Sequence, residues 1–396
     1  MKKLIYLLSV ILCMYTAGCS ENEAYNAAGN SIPTESVEIA VSDEPQSEQP
    51  QPSSQPTASV PESKSPISEK IPAPSLSNNI IGEETVQGIS VYLPPSYDSS
   101  ERQYPVLYFL PGYEDGYGLY MNTFSRSMDA LLSDQEVNEM IVVTINGTNK
   151  FGGSFYYNSP VTGNWEDFVT KDVVSYVDNN YRTIKNADGR GIAGHSMGGF
   201  GVINIVMHTN GEFSYAYSMS PGVFDENGFS KSPLNFSNIN RVINRYADLD
   251  NQAANTEYMT YITRLTWPMN FSFAYGSTFA GNPDIKAPYI MLPEQDEAGG
   301  YVHDDTWMLF NAGYGNLSEK IDEYKDNLLT LKSFVIEYGT QDEFSWIPEG
   351  CEYFSEQLSL RDIPHVLTNY DGDHQSKVNA RIKSEVLPFF SKMFGA

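Results

Sequence analysis

The stretch RGIAGHSMGGFGV, residues 190–202, places one serine among five glycines. A flexible linker also combines glycine with serine, but apolar runs flank this serine: Ile192 and Ala193 precede it, and VINIV (residues 202–206) follows it. Such runs predict a buried strand and then a helix. The pattern therefore indicates a tight strand-to-helix turn that holds Ser196 in place.

Within this stretch, GHSMG (residues 194–198) matches the pattern G-x-S-x-G. Between a strand and a helix, this motif forms a nucleophile elbow, in which the serine sits on a sharp, strained turn. We expect Gly194 and Gly198 to make room for that turn and Ser196 to project over the carboxyl edge of a sheet. The alternative is a glycine-rich turn with an inert serine.

From residue 80 onward, short β-rich runs alternate with helical periodicities. Several runs are continuously apolar, which is typical of parallel strands covered on both faces. The predicted strands are residues 86–93, 106–110, 140–145, 191–193, 215–219, 334–338 and 365–370. This alternation predicts one α/β domain over residues 79–396, with a mostly parallel sheet and helices on both faces.

A serine nucleophile needs a histidine base and usually a carboxylate that orients the base. Of the five histidines, His374 lies in a polar loop between the last predicted strand and the last predicted helix. Asp342 follows the preceding strand and is the candidate acid. Glu343 competes for that role, Asp373 adjoins the base and is less favoured, and Asp342 could instead be a turn or cap residue. The order Ser196, Asp342, His374 is that of α/β-hydrolases.

Acyl transfer also needs donors for the developing oxyanion. The backbone N–H of Met197, directly after the serine, is the first candidate. The second is the backbone N–H of Tyr113, in the loop that ends VLYFLPGY (residues 106–113). The alternative for this loop is a plain Pro-Gly turn.

Five segments together resemble the esterase D family of α/β-hydrolases, which includes feruloyl esterases, S-formylglutathione hydrolases and the antigen 85 mycolyltransferases. They are YPVLYFLPG (104–112), RGIAGHSMGG (190–199), SMSPG (218–222), GTQD (339–342) and DGDH (371–374). The resemblance covers roughly residues 80–396 and implies an α/β-hydrolase fold. It also implies an enzyme without a cofactor that transfers an acyl group from an ester to serine and then to water or an alcohol. The chain departs from the family in having Leu-Pro-Gly where many members have a histidine before the glycine.

The N-terminus has the pattern of a bacterial lipoprotein. Residues 1–18 read as a signal peptide, with Lys2 and Lys3 before a short apolar run, and TAGC (residues 16–19) resembles a lipobox that would lipidate Cys19. The alternative is an ordinary secretory signal. Residues 19–78 are rich in proline, serine and glutamate and are expected to form a disordered tether. The predicted location is the extracellular face of the cell membrane.

Residues 222–332 separate two predicted strands by more than a crossover requires, and they are rich in tyrosine, phenylalanine and tryptophan. Loops of this length usually carry function or structure of their own. The segment is therefore either a cap over a pocket or an elaborated crossover whose aromatic residues pack among themselves.

The formal net charge of -26 argues against nucleic acid or an anionic lipid surface as a partner. Membrane contact is expected through the lipid anchor alone. No histidine or cysteine pair falls at metal-ligand spacing, so no metal is predicted, although a structural ion in the insertion stays open. Cys351 shares a helical pattern with Phe354 and Leu358 and is expected in the core.

These patterns predict a lipid-anchored serine esterase for a small-molecule or polysaccharide ester, such as a feruloyl or acetyl ester on carbohydrate. An acyltransferase would use the same residues and pass the acyl group to a sugar alcohol. A surface-binding lipoprotein without catalytic activity is the third hypothesis.

Overall fold

The computed structural model describes residues 65–298 and 300–395. The predicted signal peptide, Cys19 and most of the predicted tether lie outside the described residues. No helix among the described residues is long and apolar enough to cross a membrane.

Eight strands of the described chain form one sheet: β1 (Ile67–Pro72), β2 (Val86–Tyr92), β3 (Val106–Leu110), β4 (Ile141–Ile145), β7 (Arg190–His195), β8 (Tyr215–Met219), β9 (Ser333–Gly339) and β10 (Val366–Tyr370). Their order in the sheet is β1-β2-β4-β3-β7-β8-β9-β10. β1 and β2 are antiparallel to their neighbours, and the pairs from β4 to β10 are parallel. The short strands β5 (Asn158–Ser159) and β6 (Gly163–Asn164) pair separately.

Helices cover both faces of this sheet. They are α1 (Tyr117–Ser133), α2 (Trp165–Asp167), α3 (Val174–Asn180), α4 (Met197–His208), α5 (Phe236–Arg245), α6 (Asn251–Ile262), α7 (Met269–Phe279), α8 (Asp305–Tyr314), α9 (Leu317–Leu328), α10 (Trp346–Ser359), α11 (Val378–Arg381) and α12 (Leu387–Phe394). Two π-helical segments, Phe168–Val173 and Ile382–Val386, join α2 to α3 and α11 to α12, and short 3-10 turns span Pro74–Leu76, Tyr97–Ser99, Ala187–Gly189 and Gly228–Lys231.

The sheet is the centre of the core. Every residue of β3, β4 and β7 is buried, as expected for strands covered on both faces. One buried cluster joins the sheet to α4 through residues such as Ile203, and a second joins it to α1 and the C-terminal helices through Phe124 and Phe390. The predicted α/β-hydrolase architecture is confirmed.

The predicted end of the tether at residue 78 was wrong. β1 pairs antiparallel with β2 along its whole length, and Ile71 is fully buried. Glu69, on the same side of the strand as Ile71, accepts hydrogen bonds from the hydroxyls of Tyr176 and Tyr181, each 2.9 Å long. The polar sequence of residues 67–72 did not indicate a strand. The tyrosines that bind Glu69 lie more than a hundred residues away in the chain, so no local pattern shows that this glutamate has partners.

The insertion, residues 222–332, contains α5 to α9. Many of its aromatic side chains pack on one another, with Phe236 and Phe310 ring centroids 4.7 Å apart and Tyr275 and Tyr314 centroids 5.3 Å apart. Trp267 is partly exposed and turns toward the edge of the sheet where β7 ends. The segment therefore combines the two predicted arrangements: it has an aromatic core of its own and supplies one wall of a cavity.

Candidate active site

Ser196 occupies the turn between β7 and α4. Its backbone has φ 57° and ψ -116°, in a region that side-chain-bearing residues rarely adopt. Hydrogen bonds hold the residue on both sides: its N–H donates to Met219 O at 2.9 Å, and its carbonyl accepts from Phe200 N at 3.0 Å and from Gly222 N at 3.2 Å. The surrounding backbone thus maintains the strained conformation.

The glycines of the elbow are explained by close backbone contacts. A Cβ atom at Gly194 would lie 2.3 Å from Gly198 O, and a Cβ atom at Gly198 would lie 1.8 Å from Leu110 O. Both distances are far below van der Waals contact, so the turn can form only where these two side chains are absent.

The structure brings Ser196, His374 and Asp342 together. His374 Nε2 lies 2.9 Å from Ser196 Oγ, and His374 Nδ1 lies 2.7 Å from Asp342 Oδ2. His374 and Asp342 are buried, and Asp342 Oδ1 accepts a further bond from Phe344 N at 2.9 Å. This is the spacing in which a histidine can take a proton from a serine hydroxyl while a carboxylate orients its ring.

The two competing acids have other partners. Glu343 Oε2 accepts a hydrogen bond from the backbone N–H of His374 at 3.2 Å, so it contacts the backbone of the candidate base and not its ring. Asp373 Oδ1 accepts from the backbone N–H groups of Gln375 and Ser376, at 3.0 and 2.6 Å, and thereby closes a turn. Asp342 alone of these three acids bonds to the imidazole.

The predicted oxyanion donors lie beside Ser196. Met197 begins α4, so its N–H belongs to the first helical turn, whose amides have no intrahelical acceptor. The loop that carries Tyr113 passes close by, since a Cβ atom at Gly112 would lie 3.5 Å from Ser196 Cβ. The Tyr113 hydroxyl donates to Phe151 O at 2.6 Å, and burial raises the pKa of this phenol well above its usual value. Its hydroxyl is therefore fixed and neutral.

A cavity of about 190 Å³ opens beside these groups. Its lining combines aromatic side chains with two carboxylates, and no lysine or arginine belongs to it. The lining residues are Tyr113, Glu114, Ser196, Met197, Gly222, Trp267, Phe271, Tyr314, Glu343, Phe344, Trp346, Ile347, His374 and Gln375. Such a site favours a small apolar or aromatic group and disfavours an anionic one.

Sequence reasoning missed a polar network behind the site. His195 is buried, with its Nε2 2.9 Å from the carbonyl oxygen of His374 and its Nδ1 3.3 Å from the Tyr120 hydroxyl. That hydroxyl lies 2.9 Å from Asp115 Oδ2. Burial raises the pKa of Asp115 and lowers that of His195 to about 3. Asp115 and Tyr120 belong to no motif, so only their position in the fold reveals them.

Other predicted features lie apart from this site. Among residues 65–298 and 300–395, no group of three or more histidine, cysteine, aspartate or glutamate side chains is placed to hold a metal ion. Cys351 is fully buried, and burial raises the pKa of its thiol well above the usual value. It is therefore a core residue, as the helical pattern indicated.

Comparisons with known proteins point to one family. Residues 81–260 match the family model described as "Putative esterase". Esterases from two strains of Mycobacterium tuberculosis, CDC 1551 / Oshkosh and H37Rv, are each 34% identical to this chain over 139 residues. These matches cover 34% of the chain and only 28% of each mycobacterial protein.

Solved structures share the fold at low sequence identity. A ferulic acid esterase matches with a TM-score of 0.53 and 19% identity, over 84% of this chain and 99% of that one. An S-formylglutathione hydrolase from Agrobacterium tumefaciens matches with a TM-score of 0.50 and 17% identity, over 87% of this chain and 99% of its own. A ferulic acid esterase from Anaeromyces mucronatus matches with a TM-score of 0.50 and 16% identity, over 87% of this chain and 94% of its own.

Proposed function

We propose that this protein hydrolyses carboxylic esters, with Ser196 as nucleophile, His374 as base and Asp342 as the acid that orients the base; the match of residues 81–260 to the "Putative esterase" family model supports this proposal. The observation that carries this proposal is the continuous hydrogen-bonded series from Asp342 through His374 to Ser196 at the edge of a cavity.

In the proposed reaction, His374 Nε2 takes the proton of Ser196 as Oγ attacks the ester carbonyl. The N–H groups of Met197 and Tyr113 stabilise the negative oxygen of the tetrahedral intermediate. The intermediate collapses when the C–O bond to the alcohol breaks and His374 returns its proton to that alcohol. Water then attacks the acyl-serine with His374 again as base, which releases the acid and restores the Ser196 hydroxyl.

The cavity lining supports a small apolar or aromatic acyl group, such as a feruloyl or acetyl ester carried by a carbohydrate. Trp267, Phe271 and Phe344 offer ring faces and edges to a planar group. The Glu114 carboxylate can accept hydrogen bonds from sugar hydroxyls, and the Gln375 amide can both donate and accept them. The ferulic acid esterase from Anaeromyces mucronatus, which has a similar fold, has been solved in complex with ferulic acid.

We also propose that the protein is secreted and anchored through lipid on Cys19, at the extracellular face of the cell membrane. The support is the signal-like apolar run followed by TAGC at residues 16–19. Metabolic labelling with a fatty acid should mark the parent chain and not Cys19→Ala. Labelling of both proteins, or of neither, would contradict lipidation at this cysteine.

Covalent labelling tests the nucleophile directly. A fluorophosphonate probe should add once to the parent protein and not to Ser196→Ala, as measured by intact mass. Ser359→Ala, at an exposed position on α10, is the matched control and should label like the parent. Absence of an adduct on the folded parent would contradict an activated serine and favour the binding-lipoprotein hypothesis.

Product analysis separates hydrolysis from acyl transfer. Aryl, acetyl and feruloyl esters should give the free acid as the main product, with or without sugar acceptors. Ester formed on the sugar would instead support the acyltransferase hypothesis, because both activities share the acyl-enzyme and differ only in what attacks it.

A further inference from the structure

We propose that His195 is a positioning residue for the candidate base: its Nε2–H donates to the backbone carbonyl of His374 and thereby fixes the His374 ring between Ser196 and Asp342. This inference rests on the proposed function, and it assigns a task to the residue directly before the nucleophile.

The contact joins two parts of the chain that meet only in the folded state. His195 Nε2 lies 2.9 Å from His374 O, across 179 residues of sequence, and the two ring centroids are 4.8 Å apart at an interplanar angle of 43°. On its other side, the backbone N–H of His374 donates to Glu343. Both backbone polar groups of the base are therefore bonded to neighbours, in addition to both of its ring nitrogens.

The proton positions on His195 follow from its partners. A carbonyl oxygen only accepts, so Nε2 carries the hydrogen that reaches His374 O, and in a neutral ring Nδ1 is then the bare nitrogen. The Tyr120 hydroxyl beside Nδ1 donates its own proton to Asp115 Oδ2. Burial holds the pKa of this imidazole near 3, so the ring is neutral at ordinary pH. The charged and titratable groups that face it are His374 from the loop after β10, Tyr120 from α1 and, beyond the Tyr120 hydroxyl, Asp115.

The position of His195 favours a hydrogen-bond donor that carries no charge. His374 becomes positively charged when it takes the proton of Ser196, and a second cation 4.8 Å away would oppose that charge. Lysine or arginine would supply a hydrogen bond together with the unfavourable charge. An aliphatic residue would avoid the charge but leave the His374 carbonyl without this donor.

Three substitutions of His195 distinguish the contribution of its hydrogen bond to kcat from the contribution of its side-chain volume. His195→Gln places an amide N–H about where Nε2 lies, His195→Asn has the same amide on a shorter side chain, and His195→Leu has no donor. We expect kcat on a neutral aryl ester to fall about tenfold to a hundredfold in the Leu and Asn variants, because displacing the His374 ring by about 1 Å can reduce the rate by that much. The Gln variant should stay within about threefold of the parent. KM should change little, since His195 does not line the cavity.

Titration with a fluorophosphonate should give the concentration of protein with a reactive Ser196 in each variant. Dividing the rate by that concentration gives a kcat that excludes unfolded protein. Equal losses in the Gln and Asn variants would overturn the proposal, as would full activity in the Leu variant. If the Leu variant does not fold, the comparison of Gln with Asn decides.

A spectroscopic measurement keeps this test independent of the ester hydrolysis itself. The His374 Nδ1–H proton, bonded to Asp342, should give a resolved downfield proton resonance in the parent and in His195→Gln, and a broadened or absent one in His195→Asn. A parent that hydrolyses no ester would refute the proposed function. An unchanged resonance in all variants would refute the positioning role.

Discussion

At the scale of single residues, each ring nitrogen and each backbone polar group of His374 has its own partner, and the four partners are two pairs of neighbouring residues in the chain. Asp342 and Ser196 bond to the ring, and Glu343 and His195 bond to the backbone. This division explains why two adjacent acids, Asp342 and Glu343, can serve different purposes. It also leads to two predictions.

The first prediction separates the two acids. Asp342→Asn should lower kcat by about 10³-fold to 10⁴-fold, because an amide next to Nδ1 favours the wrong tautomer of the base. Glu343→Gln should lower kcat by less than about tenfold, since its amide oxygen can still accept from the backbone N–H of His374. Steady-state kinetics on one aryl ester checks both variants. A larger loss in the Glu343 variant would reassign the acid.

The second prediction concerns acid stability. Burial lowers the pKa of His195 from 6.5 in the unfolded chain to about 3 in the fold, so between these values the unfolded state binds the extra proton. His195 should therefore reduce the free energy of unfolding by up to about 1.4 kcal/mol for each pH unit below 6.5.

Urea unfolding at several pH values between 4 and 7 measures this effect, taken as the difference between the parent and His195→Gln. The parent should lose stability more steeply than the variant as the pH falls. Parallel curves would show that His195 is not the neutral buried group described above.

At the scale of elements, the junction of β7 and α4 decides where Ser196, the proposed nucleophile, lies. Its two glycines allow the turn to pass against the end of β3, because Leu110 O lies where a side chain at Gly198 would begin. The strand-to-helix turn and the neighbouring loop that carries Tyr113 are therefore packed on each other, and a change in one should disturb the other.

The third prediction follows from this contact. Gly198→Ala should abolish activity and destabilise the fold by more than about 2 kcal/mol, because a Cβ atom 1.8 Å from backbone cannot be accommodated without moving β3 or α4. The matched control is Gly118→Ala in α1, where a Cβ atom would meet nothing within 4 Å.

That control should leave activity unchanged and should stabilise the protein by about 0.5–1 kcal/mol, since glycine is a poor helix former. Thermal unfolding and one ester assay measure both variants. A stable, active Gly198→Ala protein would contradict the packing of the elbow described here.

At the scale of the whole molecule, charge is the dominant feature. The formal net charge is -26, and Glu114 and Glu343 add carboxylates to the lining of the cavity. Both acids are exposed at its mouth, where solvent weakens but does not remove their influence on a charged substrate. The protein should therefore distinguish esters by charge as well as by shape.

The fourth prediction tests this selection with three esters of similar size, one cationic, one neutral and one anionic. At low salt, kcat/KM should be lowest for the anionic ester. Glu114→Gln combined with Glu343→Gln should raise the ratio of anionic to neutral kcat/KM by about twofold to fivefold per carboxylate removed. The ratio is used because Glu343→Gln also lowers kcat for every ester, whereas only the anionic ester is repelled by the two carboxylates.

Added salt should reduce the difference between the esters, because it screens exposed charges. The neutral ester serves as the control for general effects of salt and of the two substitutions. Equal kcat/KM for all three esters at low salt would show that the carboxylates do not influence substrate choice.

The features that depend on local chemistry could be predicted from the amino-acid sequence. The G-x-S-x-G turn, the apolar strands and the loop positions of Asp342 and His374 follow from glycine requirements and hydrophobic period, which act over a few residues. The folded structure was needed to show that β1 joins the sheet, that His195 contacts His374, and which side chains line the cavity. These contacts join residues far apart in the chain, and such pairings depend on how strands and helices pack together, which no local pattern encodes.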